Sequence, residues 1–104
     1  MALFDDVKAA LRVTTDDEGI NQEINDLISA ACSDLIRMGI SPDKVKASDE
    51  NLDPLIKRAI LVYCKANFGY DNPDAELFQR SYEMIRQELS LSSAYQAVPV
   101  DETL

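Results

Sequence analysis

The segment from Asp53 to Gly69, DPLIKRAILVYCKANFG, constrains the fold more than any other part of the chain. Asp followed by Pro marks a helix start. The carboxylate can accept a free amide, and the proline ring sits where no N–H is needed. Gly69 supplies a residue that tolerates a left-handed stop. Between them runs an almost unbroken apolar stretch in which only Lys57, Arg58 and Lys65 are charged. At 100° per residue, about 3.6 residues per turn, Leu52, Ile56, Ala59, Tyr63 and Ala66 share one face, with Leu55, Ile60 and Val62 at its margins. Leu61, Cys64 and Phe68 project from the other side, where the helix of a monomer would carry charge. Burial of a Leu or Phe is worth about 1.5–3 kcal/mol, so this second stripe needs a cover of its own. Either a short N-terminal helix supplies it or another subunit does.

The remaining punctuation is also helical. Leu3, Phe4, Val7 and Leu11 recur at spacings of three and four, giving a short helix that ends near RVTTDDEG. A second helix begins among Thr15, Asp16, Asp17 and Glu18, whose oxygens suit its positive end. Its stripe is Ile20, Ile24, Leu27, Ile28, Ala31, Leu35 and Met38, and Gly39 stands at its left-handed stop. A polar loop, ISPDKVKASDEN, follows, held by Ile40 and Val45. After the Asp53–Gly69 helix, Asn72–Pro73 repeats the start signal for a fourth. That helix carries Phe78, Tyr82, Ile85 and Leu89 on one stripe, while Leu77, Met84 and Leu91 form a second stripe at seven-residue spacing. Beyond Leu91 the pattern dissolves. The expectation is an all-α bundle of three to four helices over residues 1–91, with an extended tail over 92–104.

Charge and composition exclude several functions. The chain has 104 residues and a formal net charge of -9, a surface that does not attract nucleic-acid phosphates or anionic lipid by net charge. No apolar run approaches the roughly 18 residues of a membrane span, and the N-terminus lacks the pattern of a secretory signal, so a cytosolic site of synthesis is expected. There is no histidine, which removes Ser/His and Cys/His catalysis. The acidic clusters lie at helix starts and in loops, where capping and solvation place them. Asp49, Asn51 and Asp53 imitate the first ligands of a calcium loop, but Pro54 and Ile60 stand where glycine and glutamate are required. Ser33, Asp34 and Leu35 are in the wrong order for a carrier-protein serine. Cys32 and Cys64 have neither CxxC spacing nor a histidine to complete a zinc site, and read as reduced structural cysteines. No metal, cofactor or catalytic residue is expected.

The order of features, LFDDVKAALRV, an acidic spacer, INQEINDLISAA, a polar loop and LDPLIKRAILVYCKANFGYDN, resembles the head–tail connector proteins of long-tailed bacteriophages, also known as DNA packaging proteins. The resemblance covers about residues 3–91. It implies a structural virion protein at the head–tail junction, assembled in the host cytoplasm, that forms a ring, a dodecamer in many members, beneath the portal. Its partners would be the portal protein and a downstream connector or tail-completion protein, with DNA passing through unread. On that reading Leu61, Phe68, Leu77 and Met84 are candidates for subunit or portal contacts. Tyr95, Val98 and Val100 would order the tail by docking on the portal or a neighbour. The alternative is a monomeric acidic adaptor that binds a single protein partner.

Overall fold

A computed structural model describes residues 3–48, 50–69 and 72–96. It contains α1 (Leu3–Ala10), α2 (Glu18–Arg37), α3 (Pro42–Val45), α4 (Pro54–Asn67) and α5 (Ala75–Leu91). Among the described residues there is no strand, only an isolated antiparallel bridge between Ile40 and Gln96.

The helix ends follow local chemistry. The Asp17 carboxylate caps α2 by accepting the Ile20 amide at 3.0 Å, and the Asp53 carboxylate caps α4 by accepting the Leu55 amide at 2.8 Å. Gly39 and Gly69 adopt φ of 97° and 79°, the left-handed stops expected of them. α1 stops differently. Arg12, at φ 61°, takes the left-handed position usually given to glycine, and the Val13 amide reaches back to the Lys8 carbonyl at 3.1 Å.

Two boundaries depart from the sequence pattern. The loop after α2 contains the short helix α3, whose Val45 is buried together with Ile40. The fourth long helix starts at Ala75, because Asn72 is spent on the turn. Its Nδ2 donates to the Lys65 carbonyl at 2.6 Å, and its Oδ1 accepts the Asp74 amide at 3.1 Å.

α4 is the central post, with α5, α2 and α1 packed around it. This settles what covers the apolar segment. Val7 of α1 is fully buried, and Cys64, placed by the wheel on the outer face, is fully buried as well. Both cysteines are free thiols. Leu61 and Phe68 are half-buried against the core. Met38, expected in the core stripe, is instead 40% exposed. The helix ends there, and the turn at Gly39 swings Ile40 inward as the plug.

The packed unit continues past Leu91. The Tyr95 carbonyl accepts the Ser41 amide at 2.8 Å, the Tyr95 hydroxyl donates to Asp53 at 2.9 Å, and the Gln96 side-chain Nε2 donates to the Ser90 carbonyl at 3.0 Å. Residues 92–96 therefore fold back onto the α2–α3 turn and the start of α4. Val98, Pro99 and Val100 lie outside the described residues.

Candidate functional site

The orientation of α5 decides which residues the protein presents. One face is held inward by Tyr82 and Leu89, both buried, and by Phe78 and Ile85, half-buried. The Tyr82 ring meets Tyr63 of α4 edge-on, with centroids 5.1 Å apart and planes at 70°. Its hydroxyl donates to Asp34 of α2, which also accepts from Arg86 at 2.9 Å and from Arg37 at 2.9 Å. Asp34 thus ties α5 to α2 across the molecule.

The electrostatics of this cluster follow from its partners. Burial pushes the Asp34 carboxyl up, but the hydrogen bonds from Tyr82, Arg37 and Arg86, with the Arg86 charge, outweigh it and hold the carboxyl below its ordinary value. Burial and the bond to Asp34 push the Tyr82 phenol up. Asp34 is consequently an anion and Tyr82 a neutral donor at neutral pH, a structural arrangement with no proton to exchange. Burial likewise pushes the Cys64 thiol up to about 12, with Cys32 nearby adding to it. A thiol so protonated at neutral pH is a poor nucleophile.

With that face fixed, the seven-residue stripe of α5 turns outward. Leu77 is 59% exposed, Met84 71% and Leu91 75%. They form an apolar ridge over four turns of helix, alongside Ser81 and Glu88. Burial of these side chains against another apolar face would gain free energy.

Leu61 and Phe68 occupy a different place. They line a groove where the end of α1, the outer side of α4 and the start of α5 meet, its larger part about 560 Å³ and its smaller about 140 Å³. Ala10, Lys65 and Phe78 belong to both parts. Ridge and groove are separate features, so the four helical candidates divide into Leu77 with Met84 and Leu61 with Phe68. Tyr95 stands apart from both, its hydroxyl bound to Asp53 at the opposite end of α4 from Phe68.

Sequence reasoning missed the Asp34 cluster and the convergence of cations on the groove. The first left one signal: Asp34 sits beside Leu35 on the margin of an apolar stripe, a costly position for a carboxylate without partners.

A family model described as phage connector protein matches residues 3–96. Comparison with curated proteins and with solved structures returns no match. The match takes in α1 to α5 and ends at Gln96. The chain belongs to the phage connector protein family.

Proposed function

We propose that this protein is a structural connector of the virion. Copies assemble as a ring, a dodecamer, beneath the portal at the head–tail junction, extend the DNA channel and join the capsid to the tail, with no chemical turnover and no cofactor. The observation that carries this reading is the ridge of Leu77, Met84 and Leu91, which is left bare on a chain that belongs to a connector family. In a ring, that ridge lies against a neighbouring copy. Net charge supports the channel role: a ring of copies, each at -9, carries an overall field that repels phosphates and favours sliding of DNA over sticking.

Electron microscopy of the protein mixed with portal tests the proposal. An added ring of density beneath the portal is the expected result, lost when Leu77 and Met84 are both replaced by Lys. Portal particles that gain no density with the unaltered chain at saturating concentration would refute it.

A further inference from the structure

The chain carries nineteen acidic residues and ten basic ones, yet three of its cations, Arg12, Arg58 and Lys65, gather at the groove. Arg12 and Arg58 are exposed, Lys65 is half-buried, and none of the three forms an ion pair among the described residues. Lys65 instead lies over the Phe78 ring, 5.4 Å from its centroid. Phe68 and Phe78 give the groove an aromatic lining, and among the described residues Asp74 is the acidic side chain that lines it. A groove that is basic at its rim and aromatic at its floor fits an acidic peptide with apolar side chains.

The chain contains such a peptide. Residues 97–104, AVPVDETL, place Val98 and Val100 immediately before Asp101 and Glu102. We infer that this segment of one copy docks in the Arg12–Arg58–Lys65 groove of a second copy, valines on the aromatic floor and carboxylates at the cationic rim. Reach favours the second copy. Gln96 is held at Ser90, and from there to Phe78 the helix runs twelve residues, about 18 Å at 1.5 Å each. Val100 is only four residues beyond Gln96, about 13 Å when fully extended. Only a segment stretched fully along α5 would bring the valines of a chain to the near edge of its own groove, so a second copy is the less constrained acceptor. A donor segment on one side and an acceptor groove on another make a heterologous contact, which builds a ring when the rotation between copies closes. The inference rests on the ring reading and names one of its contacts.

The test needs no portal. A peptide of residues 97–104, with an uncharged dye acylating its N-terminus and an amidated C-terminus so that Asp101 and Glu102 carry its only charges, is titrated into the full chain and followed by anisotropy. Saturable binding is expected, weakening as salt rises. It should weaken about tenfold in the R58E/K65E double variant and in a peptide with Asp101→Lys and Glu102→Lys. The circular dichroism and melting of R58E/K65E show whether the fold is kept. Amide shifts of Leu11, Phe68 and Phe78 in the unaltered chain locate the peptide without any variant. The titration is run at chain concentrations where sedimentation shows a monomer, so that no second copy occupies the groove; absence of saturation there overturns the proposal. Binding that R58E/K65E leaves unchanged, or shifts confined to another face, overturns it as well. Peptide binding without an added ring on the portal would refute the function and spare this contact; a ring without peptide binding would do the reverse.

Discussion

Replacing Asp34 with Ala should be the most damaging single change to the polar framework of this protein. The side chain is 14% exposed and accepts three hydrogen bonds, which do not weigh equally. The Arg37 side chain is 79% exposed, and an ion pair with so wet a partner contributes little. Tyr82 is 1% exposed and the Arg86 side chain 28%, so the loss falls on them. Without Asp34 the Tyr82 hydroxyl has no acceptor in a buried site. Arg86, whose Nε has no hydrogen-bond partner among the described residues, loses its ion pair too. Two charge-assisted bonds at about 1.5–3 kcal/mol each, not fully additive, give an expected loss of about 3 kcal/mol. At roughly 4–8 °C per kcal/mol for a domain of this size, the melting temperature falls by about 12–24 °C. Tyr82→Phe alone should cost about 1.5 kcal/mol, and much less in the Asp34→Ala background, where its acceptor is already gone. Urea denaturation of the two single variants and the double variant measures this. The pH dependence supplies a second check. The depressed Asp34 pKa contributes stability that is present above the unfolded value, about 3.9, and is lost as pH falls through the folded one. The gap between wild type and Asp34→Ala should therefore narrow in acid. A loss under about 1 kcal/mol for Asp34→Ala, or a Tyr82→Phe cost that is the same in both backgrounds, would refute this account.

Three further outcomes follow from the same structure. Cys64, fully buried with its thiol pushed up to about 12, should resist a thiol-specific disulfide reagent in the native state at pH 8 and react only as fast as the protein unfolds; half-buried Cys32 should react first. Leu77→Lys and Met84→Lys should each leave stability within about 0.5 kcal/mol of wild type in chemical denaturation, since the native state already exposes both residues, so any loss of portal association would report on the ridge and not on the fold. Arg12→Gly should raise stability by about 1 kcal/mol, measured the same way, because only the side chain makes φ of 61° costly.

The sequence by itself determined the helices, their order and most of their ends. These depend on neighbours a few residues away: Asp17 and Asp53 reach amides within the next turn, and Gly39 and Gly69 relieve a local backbone strain. Where the pattern misled, a distant partner had intervened. Asn72 was taken up by the Lys65 carbonyl, so α5 starts later than the Asn–Pro signal suggests. Met38 gave its place to Ile40, which closes against the core and pairs with Gln96. The Asp34 cluster joins residues 48 and 52 positions apart, a separation no periodicity records. Only the tertiary structure decided which of the surplus apolar stripes is covered. α4 and α5 each carry two, and a helical wheel cannot rank them, because burial depends on what packs against a face and not on the face itself. Packing by α1, α2 and α5 covers Cys64 and half-covers Leu61 and Phe68, while the Asp34 tie turns Leu77, Met84 and Leu91 outward.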